Sequence, residues 1–338
     1  MRALVLTVPS PVETAPLRLE ERPTPLPGAG EVLVRVSACG VCRTDLHIVE
    51  GELPPMRPSI VPGHQVVGRV ERAGPNAHRF RPGDRVGVAW LRATCGACES
   101  CRAGRENLCE RAEFTGYHAD GGFADYAIVD ELFAYAIPPV FGDAEAAPLL
   151  CAGIIGYRAL KLAEVRPGGR LGVYGFGASA HVTVQVARAR GIEVFVCTRE
   201  ESHRELARRL GAAWVGGIGD ALPARMNGAI LFAPAGELVP VALQSLARGG
   251  TLALAGIYMS PVPPLDYARD LFYERTVRSV TANTRADGEE LLTEAARIPI
   301  RTATTTFPLE DANRALSLLK RGKFAGAGVL LTGEGSRV

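Results

Sequence analysis

The chain has 338 residues, 47% of them apolar and 22% charged, which is the composition of a globular protein long enough for two domains. Its net charge of +2 is too close to balance to indicate binding to nucleic acid or to an anionic membrane surface. The sequence shows neither a signal-peptide pattern nor the ~20 consecutive apolar residues of a membrane span. We therefore expect a cytoplasmic protein whose eight cysteines stay reduced.

Residues 1–150 contain short β-type runs that are interrupted by glycine and proline. The runs are MRALVLT, EVLVRVSACG, HQVVGRVERAG, DRVGVAWL and FADYAIV. Alternating apolar patterns of this length, separated by turn residues, predict a barrel-like β domain. The cysteine-rich stretch at 92–112 has neither helical nor strand periodicity, which predicts a lobe held together by something other than an apolar core.

From residue 151 the pattern changes to alternating helices and strands. The strand RLGVYGF precedes the helix GASAHVTVQVARARG, and EVFVCT precedes EESHRELARRLG. A helix is also predicted over VPVALQSLARGG, and the last strand of this series is TVRSVTA. The alternation predicts a parallel, doubly wound sheet over 151–282. Residues 283–338 then supply two helices and two strands that could return to the first domain, so the fold class is α/β.

Four cysteines lie on one short loop with the spacing C-x2-C-x2-C-x7-C. A closed set of four thiolates is the ligand set of structural zinc, although iron–sulfur clusters also use C-x2-C-x2-C. The loop lacks the Cys-Pro tail of bacterial ferredoxins, which favours zinc. The predicted ligands are Cys95, Cys98, Cys101 and Cys109.

A second metal site is predicted from residues that are far apart in the sequence. Cys42, His64 and Cys151 form a Cys2His set, and three protein ligands leave one position open, as in catalytic zinc sites. Each member has another interpretation from chemistry alone. Cys151 could be a buried core thiol, His64 a loop histidine, and Cys39 a rival ligand to Cys42.

A glycine-rich turn after the strand RLGVYGF predicts a dinucleotide site. Gly175 permits a tight turn, Gly177 lets the backbone approach a pyrophosphate, and Ala180 lets the helix pack closely on the strand. The free N–H groups of the helix N-terminus suit an anion. The predicted cofactor-binding residues of this turn are Gly175, Phe176, Gly177, Ala178, Ser179 and Ala180.

The end of the next strand indicates which cofactor is preferred. An NAD site has Asp or Glu there for the ribose 2′-hydroxyl, whereas this chain has Thr198 and Arg199. A hydroxyl and a guanidinium suit a 2′-phosphate, so NADP(H) is favoured and NAD(H) is the alternative. The other interpretation of Arg199 is a solvated loop residue beside Glu200 and Glu201.

These motifs together resemble the zinc-dependent medium-chain alcohol dehydrogenase family over essentially the whole chain. GVCRTDLH, PGHQVVGRV, the four-cysteine loop, LLCAGIIGYRAL, YGFGASA and GKFAGAGVLL occur in the family's order. CAGIIGYRAL and TRE are most similar to the NADP-preferring, cinnamyl-type bacterial branch. The resemblance implies a GroES-like β-barrel catalytic domain, interrupted at 151–282 by a Rossmann domain and resumed at 283–338. It also implies a homodimer or homotetramer.

The resemblance also implies roles for individual residues. Cys42, His64 and Cys151 would bind the catalytic zinc, which leaves Cys39 as a bystander. Asp45 would orient His64, as zinc-bound histidines usually require. The remaining implied roles are Thr44 as acceptor of the alcohol proton, His47 as the next proton carrier, Arg43 beside the cofactor pyrophosphate, and Trp90, Leu91, Ile48 and Tyr117 as substrate-pocket residues.

The implied reaction interconverts small alcohols with aldehydes or ketones by hydride transfer to or from a nicotinamide, with zinc as Lewis acid. Two zinc ions per chain are implied, one catalytic and one structural. Three positions depart from the family pattern: Gln65 replaces a common Glu, Ile155 a usual Thr, and Ala327 a frequent Arg. The departures put zinc exchange and cofactor affinity in doubt, but not the reaction.

Three alternative functions are less consistent with the sequence. A polyol or amino-alcohol dehydrogenase of the same fold often has Glu as third ligand, where this chain has Cys151. A non-catalytic zinc-binding relative, or a zinc module for nucleic acid or protein, would not need Thr44 and His47 beside the ligands. The small net charge and the absence of a basic helix near the cysteines also disfavour nucleic acid.

Overall fold

The structure is a computed structural model and describes residues 1–298, 300–324 and 326–333. The chain forms two compact units. The first contains Met1–Cys151, Ala282–Ala296 and the described residues of Arg301–Val338. The second contains Ala152–Thr281 and the described residues of Arg297–Ile300. None of the helices in the described ranges has both the length and the apolar character needed to span a membrane.

The described residues form the following elements. The strands are β1 (Arg2–Val5), β2 (Arg18–Glu21), β3 (Glu31–Val41), β4 (Gln65–Ala73), β5 (Arg85–Val88), β6 (Leu91–Ala93), β7 (Glu113–Phe114), β8 (Tyr126–Asp130), β9 (Ala134–Ala136), β10 (Arg170–Tyr174), β11 (Glu193–Cys197), β12 (Trp214–Gly216), β13 (Met226–Leu231), β14 (Leu246–Leu254), β15 (Thr276–Ser279), β16 (Thr304–Pro308) and β17 (Ala327–Leu331). The helices are α1 (Arg43–Glu50), α2 (Glu99–Arg102), α3 (Asp143–Ala146), α4 (Ala152–Leu162), α5 (Ala178–Ala189), α6 (Glu201–Arg209), α7 (Leu238–Ser245), α8 (Arg285–Arg297) and α9 (Ala312–Lys320).

The first unit is built on a mixed sheet with the strand order β16-β17-β3-β4-β5-β9, and β8 pairs with β3. The return segment enters this sheet because β17 pairs antiparallel with β3. The antiparallel pairing of β3 with β4 places Gly40 opposite Gln65. Cys42, which follows β3, and His64, which precedes β4, are therefore brought to the same edge of the sheet.

Close packing in the first unit explains the glycine in the middle of β4. A Cβ atom at Gly68 would lie 2.1 Å from the carbonyl oxygen of Arg35 on β3, a distance that real Cβ atoms do not reach. The apolar core around these strands includes the fully buried side chains of Leu4, Val66 and Phe123. Only glycine at position 68 lets β3 and β4 approach this closely.

The second unit is a six-stranded parallel sheet with the order β12-β11-β10-β13-β14-β15. This is the strand order of a Rossmann fold, in which the chain starts at the centre and winds outward in both directions. Helix α4 packs on α5, and a Cβ atom at Gly156 would lie 2.2 Å from Thr183 Oγ1. The predicted α/β fold class, a GroES-like β-barrel domain with a Rossmann domain, is confirmed.

One predicted helix boundary is wrong. The helix predicted over VPVALQSLARGG ends at Ser245, and residues 246–250 already belong to β14. Leu246 is fully buried and pairs with Met226 of β13, and Gly249 has φ +73°. Parallel pairing and burial of Leu246 therefore override the apolar helical periodicity, which continues through LAR.

Candidate active site

Helix α1 carries several of the predicted site residues and was not foreseen from the sequence. It begins directly after Cys42, whose backbone N–H donates to Asp45 Oδ2 at 2.8 Å. This carboxylate caps the first turn, where free N–H groups favour an acidic side chain. The Cys-x-x-Asp pattern after β3, with an N-cap residue followed three positions later by an acidic residue, is a helix-start signal in the sequence. Thr44 and Ile48 lie one turn apart on α1, and both are buried.

The structure brings Cys42, His64 and Cys151 together. Cys42 Sγ lies 3.9 Å from Cys151 Sγ, and Cys151 Sγ lies 3.3 Å from His64 Nε2. Zinc bonds of about 2.3 Å to sulfur in a tetrahedron place two thiolates about 3.8 Å apart, so the donor atoms fit a zinc ion. No fourth Cys, His, Asp or Glu donor of the described residues joins this set. A fourth position is therefore open.

The electrostatics of this set also favour a cation. Burial opposes charging of His64, but the Asp45 carboxylate beside it raises the pKa of the imidazole to about 10. A hydrogen bond from Cys151 and the proximity of His64 hold the pKa of the Cys42 thiol well below its ordinary value. The pKa of Cys151 is raised because it shares a proton with Cys42.

Thr44 and His47 lie on α1 beyond the metal-binding set. Thr44 Oγ1 lies 3.7 Å from Cys42 Sγ, so the hydroxyl lies beside the proposed metal position. His47 Nδ1 contacts Glu52 Oε2 just after the helix. Sequence reasoning missed Glu52, although an acidic residue five positions after a proton-carrying histidine is a usable signal. Arg43, predicted near the cofactor pyrophosphate, is exposed at the first position of the helix.

Aromatic rings extend from the metal-binding set. Trp90 lies edge-on to His64, with ring centroids 4.9 Å apart. Phe114 stacks on Trp90 at 4.8 Å and Tyr117 stacks on it at 6.0 Å. Of the four predicted pocket residues, Trp90 and Tyr117 belong to this stack. Leu91 and Ile48 are buried in the core of the first unit, to which Trp90 also belongs.

The four lobe cysteines also converge. Their sulfur atoms all lie within 4.8 Å of one another, with Cys98 Sγ 3.4 Å from Cys101 Sγ. The backbone N–H of Cys98 donates to Cys95 Sγ and that of Cys101 to Cys98 Sγ. Hydrogen bonds from the backbone of Ala97 and Cys98 lower the pKa of Cys95 to about 5. The lobe therefore presents a closed set of sulfur donors, one of them favoured as a thiolate, which fits a second zinc ion.

The glycine-rich turn between β10 and α5 has the geometry of a phosphate-binding turn. Gly175 has φ +88°, and a Cβ atom there would lie 2.8 Å from the backbone nitrogen of Ala233. Gly177 has nothing within 4 Å of an added Cβ atom, so its backbone is open to a ligand. Ala180 is completely buried against the sheet. The first N–H groups of α5 are thus available to an anion.

The end of β11 holds one basic residue more than the sequence interpretation included. Thr198 is buried and its backbone N–H donates to Gly216, whereas Arg199 is exposed. Arg204 was missed. Its Nε donates to the carbonyl oxygen of Thr198 at 3.0 Å, which holds a half-buried guanidinium at the same strand end. A basic residue one turn into the following helix is the signal that would have found it.

Comparison with known proteins agrees with this description. The family model of the alcohol dehydrogenase GroES-like domain matches residues 28–139, and that of the zinc-binding dehydrogenases matches residues 178–297. A probable alcohol dehydrogenase, AdhA, of Mycobacterium tuberculosis is 51% identical over 98% of this chain and 97% of its own length.

Solved structures share the fold over nearly the whole chain. An acetophenone reductase from Geotrichum candidum in complex with NAD has a TM-score of 0.88 and 27% identity, covering 98% of this chain and 97% of its own. A CAD from Helicobacter pylori complexed with NADP(H) has a TM-score of 0.85 and 25% identity, covering 98% of each chain.

The predicted family and reaction class are confirmed by these matches. The protein is a zinc-dependent oxidoreductase that uses a nicotinamide cofactor and acts on small alcohols or aldehydes. The chain therefore belongs to the zinc-dependent medium-chain alcohol dehydrogenase family.

Proposed function

We propose that this chain is an alcohol dehydrogenase whose catalytic zinc is held by Cys42, His64 and Cys151, and that it prefers NADP(H). The observation that carries the proposal is the convergence of these three donor atoms around an open position. When bound there, zinc supplies a Lewis acid that polarises the oxygen of an alcohol or carbonyl group.

The chain's own residues handle the proton. Thr44 Oγ1, beside Cys42 Sγ, accepts the proton of the substrate hydroxyl and hands on its own. His47 is the next carrier, and its contact with Glu52 leads the proton towards the partly exposed Glu52 carboxylate. The buried Asp45 positions His64. Trp90 and Tyr117 form an apolar wall that keeps water from the reacting carbon.

Cys95, Cys98, Cys101 and Cys109 hold a second, structural zinc ion in this proposal, which makes two per chain. The support is the closed arrangement of sulfur atoms in a lobe without a core of its own. None of the residues of α2 within the lobe is buried. A metal therefore replaces the apolar burial that would otherwise keep so short a segment folded.

The cofactor preference rests on charge at the end of β11. Arg199 follows Thr198 directly and is exposed, and the guanidinium of the missed Arg204 is fixed by its bond to the Thr198 carbonyl and by an ion pair with Glu201 at 3.2 Å. A 2′-phosphate is doubly charged and suits such a site, whereas the ribose 2′-hydroxyl of NAD(H) suits an acidic partner. NAD(H) remains the alternative cofactor.

The domain division, assembly and location are part of the same proposal. Residues 1–150 and 283–338 serve as the catalytic domain, and residues 151–282 bind the cofactor, with Cys151 at the boundary. Strand β15 is at the edge of its sheet, with three of its four residues exposed, so an antiparallel pairing with a second copy would cover it. We propose a homodimer or homotetramer in the cytoplasm.

The test is zinc content and turnover of Cys42→Ser beside Cys39→Ser. Wild type should hold two zinc ions per chain and reduce small aldehydes, with NADPH used more efficiently than NADH. Cys42→Ser should hold about one zinc ion and lose turnover, since serine rarely replaces a thiolate ligand. Cys39→Ser is the matched control and should keep both zinc ions and the wild-type turnover. The ligand assignment would be contradicted if Cys42→Ser turned over substrate. It would also be contradicted if Cys39→Ser lost one zinc ion together with its turnover.

A further inference from the structure

Two loops of the first unit face each other beside the aromatic stack. One covers residues 51–60 and contains three prolines; we call it the proline loop. The other covers residues 114–121, here the aromatic loop. Their bases are firmly joined, because Val61 N donates to Asp120 Oδ1 at 3.0 Å and Gly121 N donates to the Val61 carbonyl at 2.7 Å.

The tips of the two loops are joined much more weakly. The Tyr117 hydroxyl donates to the Pro54 carbonyl oxygen at 2.8 Å, which is a contact across 63 residues of sequence. The only other polar link between the tips that the structure describes is the ion pair of Arg57 with Asp120, at 3.8 Å and with both side chains nearly half exposed. Exposed pairs of that length contribute little. The hydrogen bond from Tyr117 is therefore the main polar link described between the tips.

A narrow cavity lies between the proline loop, Tyr117, Ile48 of α1 and the segment that follows β1. Its lining includes Met56 and Ile60 of the proline loop. The cavity measures about 20 Å³, which is room for about one water molecule. An alcohol with a bulky substituent cannot fit there while the tips stay joined.

Two of the residues that line the cavity also neighbour the residues around the proposed metal position. Ile48 lies one helical turn after Thr44, and the Thr44 hydroxyl lies 3.7 Å from Cys42 Sγ. Tyr117 stacks on Trp90, which in turn lies against His64. Tyr117 therefore lies between the aromatic stack beside the metal-binding set and the cavity under the proline loop.

We infer that the two loop tips form a gate that limits the size of the alcohol or aldehyde admitted, and that the hydrogen bond from Tyr117 to Pro54 is its latch. The inference rests on the proposed catalytic site at Cys42, His64 and Cys151. Tyr117 is in this sense a specificity-determining residue. Small substrates fit without opening the gate, whereas bulky ones bind only after the latch has broken.

The first test compares wild type with Tyr117→Phe, which keeps the stacked ring and removes only the hydroxyl. We expect kcat/KM for 2-naphthalenemethanol to rise about threefold to tenfold relative to that for ethanol, since one hydrogen bond contributes up to about that factor. The change should appear mainly as a lower KM for the bulky alcohol. Tyr126→Phe, a tyrosine on β8 that stacks with Arg35, is the control and should keep the wild-type ratio.

Hydrogen exchange gives a readout that does not depend on turnover. Amide protons of residues 51–60 should exchange faster in Tyr117→Phe than in wild type, while those of β4 stay unchanged in all three proteins. An unchanged substrate ratio with normal turnover, or unchanged exchange in the proline loop, would overturn the gate and leave the proposed function intact. Failure of wild type to oxidise any alcohol with either cofactor would instead overturn the proposed function, and the gate with it.

Discussion

Asp45 Oδ1 lies 3.0 Å from His64 Nδ1, and both side chains are completely buried. The same carboxylate accepts hydrogen bonds from the backbone N–H of Cys42 and of Gly63. It thereby joins the start of α1 to the segment that leads into β4. Because Nδ1 is occupied by Asp45, Nε2, the atom that faces Cys151, is the nitrogen that would bind a metal ion.

Asp45→Asn should weaken zinc binding at the catalytic site about tenfold to a hundredfold, as loss of such a partner does in other zinc sites. The amide can still contact His64 but no longer raises its basicity as a ligand. Zinc affinity is measured by competition with a chelator, and the lobe zinc should be retained. Asp130→Asn, which caps a turn at Leu132, serves as control. Equal affinities in all three proteins would contradict the role of Asp45.

Glu52→Gln should lower kcat about tenfold at unchanged KM, less than the 10²–10⁴-fold typical of losing a general base itself. Glu52 contacts His47 and is 44% exposed, so it would take the proton from the histidine towards water. Steady-state kinetics in H2O and D2O should show a larger solvent isotope effect in the variant, and Glu52→Asp should recover part of kcat. Glu71→Gln, whose partner Arg35 is exposed, is the control. A wild-type kcat in Glu52→Gln would remove Glu52 from the relay.

Residues that are close in sequence were predicted more fully than residues that only the fold brings together. The lobe cysteines span 15 positions, so their spacing alone indicates a closed metal site. Cys151 is 109 residues from Cys42. Residue chemistry alone leaves Cys151 open to interpretation as a core thiol, and the family resemblance is what favours it as a ligand. Spacing carries no information about so distant a contact.

The contacts missed from the sequence have the same explanation. The hydrogen bond between Tyr117 and Pro54 joins two loops without regular periodicity, so no pattern marks it. Arg204 reaches the strand end only because α6 begins at Glu201. Leu91 is predicted to line the substrate pocket together with its neighbour Trp90, which lies against His64; both residues belong to the buried core of the first unit.

Arg199→Ala should raise KM for NADPH about tenfold and leave KM for NADH nearly unchanged, because a charge-assisted bond to phosphate contributes about 1.5–3 kcal/mol when partly shielded from water. Arg204→Ala should have a similar effect and also loosen the end of β11. Arg190→Ala, a cation stacked on Tyr157, is the control. If both variants keep the wild-type NADPH to NADH ratio, the basic strand end does not select the cofactor.

Cys98→Ser should destabilise the lobe and lower the zinc content by one ion per chain while the catalytic zinc remains. Cys98 Sγ accepts a hydrogen bond from the backbone N–H of Cys101 and lies 3.4 Å from Cys101 Sγ. Serine therefore removes a metal-binding sulfur atom that also caps the start of α2. Thermal unfolding and protease resistance at residues 92–112 measure the effect. Cys197→Ser, a buried cysteine of the second unit outside both metal sets, is the control for losing a thiol. A melting curve like that of wild type would argue against a structural metal.

Glu106→Gln tests how the lobe is anchored, because both carboxylate oxygens of Glu106 accept hydrogen bonds from the Arg285 guanidinium at the start of α8. Burial opposes ionisation, but Arg285 holds the pKa of the Glu106 carboxyl below its ordinary value of 4.5. A lowered pKa stabilises the fold above pH 4.5, and this contribution is lost as pH falls through the folded-state pKa.

The variant Glu106→Gln should therefore be about 2 kcal/mol less stable than wild type at pH 7. The difference in the free energy of unfolding should shrink below pH 4.5. Glu99→Gln, 93% exposed in the same lobe, should differ little from wild type at any pH. A constant difference across the acid range would show that Glu106 contributes by packing and not by charge.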